Sequence, residues 1–397
     1  MPAARTLLVL GAGASQLGLL EAARERGGLR VIAADRDPQA PGFALADERA
    51  VISSEDEPAL ERLARAREID GIVSPGADWP VGVAARIAER LGLPHPIDAA
   101  TAAVATSKTR QRERFVAAGI PCPRTFDPGA PDLPFPCVVK APDRQGQRGL
   151  ALVGAASELE QALAEAAQEA RYGQVLVEEL AEGPEITVNG IWENGSPVVL
   201  TVTDRVLAEP PAFGVALAHV WPSLHATDEA VAVATEAARA VGIANGPSYV
   251  QVRITRDGPS VMEVAARLGG GHDAELCRAA LAVDLNALAI AFALGEPPQD
   301  MSGASSASHV SGGACVRFLV AAPGRLVAVH GLAEAEAVPG VEWVRSYRRP
   351  GWELPPLRRG ADRAGATLAV GATREEALER ADRAAQAVRF EVDADAP

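Results

Sequence analysis

Three separated segments of the chain carry residue types that suit a nucleoside triphosphate. An apolar strand ends on Lys140 and leads into a polar loop with two glycines at 143–149, so a lysine can meet phosphate charge and the loop can close over it. A later strand runs into the glutamate pair at 178–179, which can receive a base and a sugar. Gln251 and Glu263 lie on two strands joined by a tight turn and offer oxygen ligands for Mg²⁺.

The strand that carries Glu263 also leads into a candidate substrate loop. Glu263 lies in an otherwise apolar strand, where a carboxylate is unfavourable to bury without a cation or a donor, so metal binding is favoured. Arg267 ends this strand, and its planar guanidinium suits a carboxylate or the oxygens of an acylphosphate. The glycines at 269–271 let backbone amides approach a small anion. His272 either orients a substrate or caps the helix that begins near residue 274.

The charged residues of the loop and of the glutamate pair each allow more than one role. Arg144 and Arg148 flank Gly146, and either can fold over a γ-phosphate, although surface loops often carry arginines; we assign Arg148 to this role. Glu178 and Glu179 are adjacent on a strand and therefore point to opposite faces, so at most one of them can face a base.

Lys108 is a further candidate for phosphate binding, from a predicted helix that runs from Asp98 as its N-cap to Gly119. The same helix carries Arg110, Arg112 and Arg114. A solvated charged face therefore explains Lys108 almost as well as phosphate binding does.

The first hundred residues alternate short apolar strands with helices, which predicts a parallel, doubly wound sheet. Residues 11–18 read G-A-G-A-S-Q-L-G after the first strand, and Asp35 ends the second. This pattern suggests an NAD site as an alternative. Its spacing, however, departs from the dinucleotide-binding fingerprint at the position of the third small residue. A tight turn that only glycine permits explains the same residues, and we favour it because of the downstream motifs.

The order and spacing of these motifs resemble the ATP-grasp superfamily and, within it, the carboxylate–amine ligases that join amino acids. The resemblance implies binding of ATP with Mg²⁺, for which Mn²⁺ can substitute. It assigns ATP to a set of lysines, loop residues and acidic hinge residues: Lys108, Lys140, Gly146, Arg148, Gly149, Glu178, Glu179, Ala181 and Glu185. It assigns the metal to Gln251 and Glu263.

The same resemblance implies a substrate site with a catalytic arginine. The segment 218–223 is similar to the His-x-x-Pro segment of amino acid ligases, in which the histidine lies near the bound amino acid. The implied substrate residues are His219, Trp221, Arg267, Gly269, Gly270 and His272, with Arg267 also catalytic. For Trp221, a position in the core of a large sheet is an equally good interpretation. One departure from the family is Ala265, where many relatives have asparagine, so Mg²⁺ would depend more on phosphate and water oxygens.

The resemblance also implies an α/β fold, with α+β character in the grasp, divided into five regions. These are a Rossmann-like parallel sheet at 1–97, a connecting helix at 98–119, an ATP-grasp lid at 120–187, a central ATP-grasp subdomain at 188–300 and a small α+β C-terminal subdomain at 301–397. A Ser/Gly-rich linker is expected at 302–313. A homodimer is compatible with the resemblance.

Composition agrees with a cytoplasmic multidomain enzyme. The chain has 397 residues, too many for one core, and 38 basic against 52 acidic residues give a net charge of −14 without a basic block, so a nucleic-acid surface is not expected. The four cysteines are scattered and predict reduced thiols, not a disulfide or zinc framework. No apolar segment is long enough to suggest a membrane partner or an export signal.

Together these features predict an ATP-dependent ligase that joins a small carboxylate, expected to be an amino acid, to an amine through an acylphosphate, with release of ADP and phosphate. Three alternatives stay open at this point. They are an ATP-grasp carboxylase that uses bicarbonate through carboxyphosphate, an NAD-dependent oxidoreductase, and a non-catalytic nucleotide-binding protein in which Ala265 marks a lost metal site.

Overall fold

The computed structural model of the protein describes residues 4–297 and 311–393. Its N-terminal part is a sheet of four parallel strands in the order β3-β2-β1-β4, as the alternation of strands and helices predicts. The strands are β1 (Arg5–Leu10), β2 (Leu29–Asp35), β3 (Glu48–Val51) and β4 (Gly71–Val73). The helices are α1 (Leu17–Arg26), α2 (Glu57–Ala66) and α3 (Asp78–Leu91).

The connecting segment contains two helices, α4 (Ala99–Ala105) and α5 (Lys108–Ala118), where the sequence predicted one. Asp98 caps α4, as expected, by accepting a hydrogen bond from the Thr101 amide. The break arises because Ser107 adopts an extended backbone and its hydroxyl accepts a hydrogen bond from the Arg110 amide, which starts a second helix. Lys108 therefore stands at the first position of α5 instead of in the middle of a long helix.

A four-stranded antiparallel sheet in the order β5-β8-β6-β7 forms the region expected to be the lid. Its core consists of Cys137, Val139, Val153 and Val177, packed against alanines of one helix. The elements are β5 (Thr125–Phe126), β6 (Cys137–Lys140), β7 (Leu150–Val153), α6 (Ala156–Glu169) and β8 (Leu176–Glu179).

The next five strands, all antiparallel, include a hairpin with its turn at Asn194-Gly195. They are β9 (Glu185–Glu193), β10 (Ser196–Leu207), β11 (Ala216–Trp221), β12 (Gly246–Thr255) and β13 (Gly258–Ala265). The helices of this region are α7 (Asp228–Val241), α8 (Asp273–Leu281) and α9 (Leu285–Ala293). In the described ranges no single helix is long and apolar enough to cross a membrane, although α8 and α9 together pass that test across a bend of 118°.

The described C-terminal residues form further strands, three of which extend the same sheet. They are β14 (Gly313–Leu319), β15 (Gly324–His330), β16 (Val341–Ser346), β17 (Glu353–Leu354), β18 (Gly365–Gly371) and β19 (Arg389–Asp393), with α10 (Leu332–Glu336) and α11 (Arg374–Ala387). Because β14 pairs with β11, one eight-stranded sheet runs in the order β13-β12-β9-β10-β11-β14-β18-β16. Strands β17, β15 and β19 form a separate small sheet.

The eight-stranded sheet crosses two of the boundaries predicted between regions of the chain. The boundary drawn between 300 and 301 separates strands that share one sheet, and the boundary drawn at 187 falls inside β9. Most of the linker expected at 302–313 lies outside the described residues.

Candidate active site

An open cleft of about 780 Å³ lies between the lid sheet and the eight-stranded sheet. All of the residues predicted for ATP and metal line it except Gly149: Lys108, Lys140, Gly146, Arg148, Glu178, Glu179, Ala181, Glu185, Gln251 and Glu263. The fold therefore gathers residues that are more than 150 positions apart in the sequence.

Lys140 and Glu178 form a buried ion pair in the wall of the cleft. Lys140 ends β6, and its ammonium contacts Glu178 on the neighbouring strand β8. The second carboxylate oxygen of Glu178 accepts a hydrogen bond of 2.7 Å from Nε of Arg112. Burial raises the pKa of Glu178, but the charges of Lys140 and Arg112 outweigh this effect and leave the pKa below its usual value. Burial lowers the pKa of Lys140.

Both carboxylate oxygens of Glu178 are thus paired with cations. Glu179 also lines the cleft and accepts hydrogen bonds from the amide and Nε of Arg124 at 2.9 and 2.7 Å. Glu185 is buried between two arginines, with Nη1 of Arg205 at 2.6 Å and Nη2 of Arg253 at 3.0 Å. The three acidic residues predicted for base and ribose therefore lie at one cleft, each beside an arginine.

Lys108 and Glu263 form a second pair in the cleft. Nζ of Lys108 is 2.8 Å from Oε1 of Glu263 and 2.8 Å from the carbonyl oxygen of Arg144 in the polar loop. Burial raises the pKa of Glu263, but the charge and hydrogen bond of Lys108 and the charges of Arg267 and Lys140 together outweigh this effect, so the pKa lies below its usual value. The carboxylate is therefore charged at neutral pH, as a metal ligand must be.

Gln251 and Glu263 are directly opposite each other on β12 and β13. The register shifts by one residue immediately after this pair, and this β-bulge explains how the neighbours Met262 and Glu263 can both line the cleft. The amide nitrogen of Gln251 donates to the Tyr249 hydroxyl at 3.1 Å, which leaves the carbonyl oxygen to act as a ligand. Ala265 supplies no side-chain oxygen.

This donor set fits Mg²⁺ bound together with a phosphate. Mg²⁺ commonly takes one or two protein oxygens and completes its octahedron with phosphate and water. The described residues contain no group of three or more histidine, cysteine, aspartate and glutamate side chains that could hold a metal ion. Glu263 and Gln251 therefore suit a metal that arrives with a nucleotide better than a metal held by the protein alone.

The polar loop has three residues with left-handed backbone angles, Gly146, Gln147 and Gly149. A Cβ on Gly149 would lie 3.0 Å from the Cβ atoms of Ala141 and Glu169, so glycine is needed there for close packing as well as for its angle. The carbonyl oxygen of Gly146 accepts a hydrogen bond of 3.3 Å from the amide of Gly360. The sequence did not indicate this contact with the C-terminal region.

Arg267 is buried beside the cleft and is paired with an acid that the sequence analysis did not select. Its Nε donates to Oδ1 of Asp78 at 2.5 Å, and its Nη1 donates to the carbonyl oxygen of Leu268 at 2.7 Å. Asp78 is the first residue of α3, and its amide donates to the side chain of Gln145 in the polar loop. Burial raises the pKa of Asp78. Helix α3, the polar loop and the segment after β13 therefore meet near Arg267.

His219 lies beneath the glycine loop and makes no contact with the cleft. Its Nδ1 donates to Oδ1 of Asp273 at 3.0 Å, and both side chains are almost fully buried. A Cβ on Gly271 would lie 2.5 Å from Cε1 of His219, and one on Gly269 would lie 2.1 Å from Oδ2 of Asp273. These two glycines are thus explained by close packing over the His219–Asp273 pair. Gly270 packs against the carbonyl oxygen of Gly76.

The other two predicted substrate residues are also buried. His272 has a left-handed backbone (φ 62°) and precedes α8, and its ring lies between Oε1 of Glu275 at 3.0 Å and the hydroxyl of Tyr347 at 2.5 Å. It therefore links the loop to β16 and the segment after it. Trp221 lies in the largest hydrophobic core, which agrees with the alternative that it is a core residue.

The glycine turn at 11–18 is filled by protein side chains. Gln16 is buried and packs on Gly11 and Gly13, where a Cβ on Gly11 would lie 2.9 Å from its Cδ. The Asp35 carboxylate accepts a hydrogen bond of 2.8 Å from the Ala12 amide. A Cβ on Gly18 would lie 2.4 Å from the Glu275 carboxylate. Close packing thus accounts for these residues without a dinucleotide.

Comparison with known proteins gives two family matches. Residues 133–275 match the ATP-grasp domain, and residues 317–393 match the L-amino acid ligase C-terminal domain 2. The chain is 30% identical over 416 residues to a formate-dependent phosphoribosylglycinamide formyltransferase of Burkholderia cenocepacia, covering 98% of this chain and 96% of the relative. It is 30% identical over 366 residues to an uncharacterized protein of Sinorhizobium fredii, covering 83% of this chain and 70% of that protein.

Solved structures share the fold. The L-amino acid ligase of Bacillus licheniformis superimposes with a TM-score of 0.82 at 21% sequence identity, covering 99% of this chain and all of that one. Because the identity is low, this similarity establishes the architecture and leaves the reaction to be argued from the site.

Proposed function

The chain belongs to the ATP-grasp superfamily, and on that premise we propose that it is an ATP-dependent ligase that joins a small carboxylate to an amine through an acylphosphate. The observation that carries the proposal is the single cleft that brings together Lys108, Lys140 and Glu263, with Arg267 at its edge. Cations for phosphate, an oxygen ligand for Mg²⁺ and an arginine for a carboxylate are the groups that this reaction needs.

Two of the similarities described above support this class of chemistry from different directions. The Burkholderia relative is named for the use of formate, a carboxylate, in a formyl transfer. The C-terminal residues 317–393 match a domain of L-amino acid ligases, and the Bacillus licheniformis ligase has the same fold. We infer that the acid in this chain is an amino acid, because that match covers the segment from β14 to β19.

In the proposed reaction, a substrate carboxylate attacks the γ-phosphorus of ATP and ADP leaves. Lys140 and Lys108 compensate the charge of the phosphates, and Arg267 holds the carboxylate and then the acylphosphate by two parallel hydrogen bonds. Gln251 and Glu263 would hold Mg²⁺, which would supply positive charge to compensate the phosphate oxygens. A neutral amine then attacks the acyl carbon, the amide C–N bond forms, the C–O bond to phosphate breaks, and the amine proton passes to solvent or to the departing phosphate.

The lid and the polar loop would exclude water from the acylphosphate, which otherwise hydrolyses. The loop already contacts α3 through Gln145 and the C-terminal region through Gly146. No side-chain nucleophile is required, because the residues act by positioning and by charge.

A screen of acid–amine pairs tests the proposal. The protein is incubated with MgATP and each pair, ADP is measured, and products are identified by mass. We expect ADP release that depends on both an acid and an amine, and with acid and hydroxylamine alone we expect a hydroxamate, the trapped form of an acylphosphate.

The same screen separates the alternatives. ADP release that needs only bicarbonate would indicate a carboxylase, a change in nicotinamide absorbance would indicate an oxidoreductase, and no turnover with any pair would support a binding protein. Glu263→Gln serves as the matched variant, because it keeps the shape of the site and removes the ligand charge.

A further inference from the structure

Helix α5 carries three arginines at alternate positions, and only the middle one is buried. Arg110 and Arg114 are exposed to solvent, whereas Arg112 is 3% exposed. The neighbouring Gln111 is also buried and exchanges hydrogen bonds with the backbone of Val264 on β13, at 2.8 and 3.0 Å. The face of α5 next to Lys108 is therefore packed against the strand that carries Glu263.

Arg112 lies behind the wall of the cleft. Its Nη2 donates to the carbonyl oxygen of Met262 at 2.8 Å, and its Nε donates to Glu178 at 2.7 Å. Lys140 and Glu178 line the cleft, whereas Arg112 is not among the lining residues. Its guanidinium thus reaches the site only through Glu178 and cannot touch a nucleotide in the cleft.

These contacts place two cations on one buried carboxylate. When the ammonium of Lys140 turns toward a phosphate, Glu178 loses that partner and would be a charge in a dry environment. A buried carboxylate without a cation is strongly unfavourable, and breaking a buried pair on one side is strongly destabilising because it leaves an uncompensated charge. Arg112 remains in place and keeps Glu178 compensated.

We propose that Arg112 is a positioning residue that holds Glu178 as a shared counter-ion, so that Lys140 can exchange this carboxylate for the phosphates of ATP. The inference rests on the proposed function only in that it needs a nucleotide in the cleft; it does not depend on which acid or amine reacts. Arg112 acts on affinity for the nucleotide and has no part in the transfer step.

The test measures MgADP binding by calorimetry, without acid or amine. Arg112→Met removes the charge and keeps most of the length of the side chain, and we expect the dissociation constant to rise tenfold or more, about 1.4 kcal/mol. Arg112→Lys should recover part of this loss, because it restores a cation that can reach Glu178. Arg114→Met, on the exposed face of the same helix, should bind like the unaltered protein. In turnover, Arg112→Met should raise KM for ATP and leave kcat near its original value.

A second substitution separates this role from a merely structural one. If Arg112 serves to compensate Glu178, then Glu178→Gln removes the need for it. The double variant Arg112→Met/Glu178→Gln should bind MgADP more tightly than Arg112→Met alone and about as well as Glu178→Gln alone. If Arg112→Met does not fold, the inference is still tested by comparing MgADP binding of the double variant with that of Glu178→Gln alone.

The outcomes are distinct. If Arg112→Met folds and binds MgADP normally, or if its effect is the same with and without Glu178→Gln, the inference is wrong and the proposed function stands. If the unaltered protein itself does not bind MgADP, the proposed function fails first.

Discussion

Three of the cations that we assign to phosphate or substrate are each paired with a carboxylate of the same site. Lys108 is paired with Glu263, Lys140 with Glu178, and Arg267 with Asp78. Nucleotide and substrate binding would exchange these carboxylates for phosphate or substrate oxygens. Substitution of one member is therefore expected to act through its partner as well.

Arg267→Lys should retain nucleotide binding and lose ligation. The guanidinium contacts Asp78 and the Leu268 carbonyl at once, whereas a lysine keeps the charge and loses the planar two-pronged geometry. We expect kcat to fall on the order of a hundredfold, as for other lost charge-stabilising donors, with the dissociation constant of MgADP little changed. Arg256→Lys, at an exposed turn, is the control. Ligation at the original rate in Arg267→Lys would exclude the assigned role.

Glu263→Gln should make activity strongly dependent on metal concentration. The amide keeps the shape of the side chain but loses the charge that attracts Mg²⁺ and pairs with Lys108. ADP release should collapse at low Mg²⁺ and partly recover at high Mg²⁺ or with Mn²⁺. Unchanged release at low Mg²⁺ would show that Glu263 is not a ligand. Ala265→Asn adds a side-chain oxygen near the same position, so it should increase the apparent affinity for Mg²⁺.

Asp273 is expected to make the free energy of unfolding depend on pH under acidic conditions. Burial raises its pKa, but the charge of His219 and its hydrogen bond outweigh this and lower the pKa to about 2. Because the folded pKa is below the unfolded value of about 3.9, the stabilisation is complete above pH 4 and is lost as the pH falls toward 2. Asp273→Asn should reduce the dependence of the unfolding free energy on pH in that window. An identical slope in the two proteins, measured by denaturant unfolding, would contradict this.

At the scale of elements, the glycines of the substrate loop leave room for the buried side chains that pack against them. Gly271→Ala places a Cβ 2.5 Å from the ring of His219, which is itself held by Asp273 and cannot easily move. We expect the loop to shift, with loss of ligation and a lower melting temperature. Gly154→Ala, where the nearest atom would be 3.5 Å away at the end of a glutamate side chain, should be tolerated. Equal activity of the two variants would mean that the loop does not need this packing.

The sequence predicted most strands and the residues of the cleft, but not the pairs that join them. Alternation of strands and helices, and the strand-end position of Lys140, are local patterns. The burial of Arg112 next to exposed Arg110 and Arg114 depends on which face of α5 meets β13, and Asp78 lies 189 positions from Arg267. Such partners depend on tertiary packing, which cannot be predicted from the spacing of residues along a single sequence.

The break before α5 has a similar cause. Ser107 is a recognisable cap, yet the predicted helix ran through it because the residues on both sides favour helix. The amide of Lys108 donates to the carbonyl oxygen of Pro142 at 2.9 Å, so a contact with the polar loop helps to fix the new helix start.

At the scale of the whole molecule, Arg171 makes a compact contact between the lid and the N-terminal region. The Arg171 guanidinium forms two hydrogen bonds to Glu55, at 2.6 and 2.7 Å, and lies 4.0 Å from the centre of the Trp79 ring. Tyr172 packs on the same ring. The backbone amide of Arg171 also donates to Asp143 at the start of the polar loop, so the contact and the loop are connected.

Arg171→Met should loosen the lid. The substitution removes both hydrogen bonds to Glu55 and the stacking on Trp79, so limited proteolysis should cut the lid faster, and MgADP should suppress the cutting. Arg124→Met is the matched control, because its partner Glu179 lies within the lid itself. Equal cleavage rates for the two variants would show that the Arg171 contact does not hold the lid.

The eight-stranded sheet also limits how such enzymes can be recombined. The segment that matches the ligase C-terminal domain begins at residue 317, inside β14, which starts at Gly313. A chimera with its crossover at 317 would join two half-strands from different parents and lay the hybrid strand against β11. A crossover before Gly313 keeps β14 whole, so only the side chains along the β11–β14 boundary would have to be matched between parents.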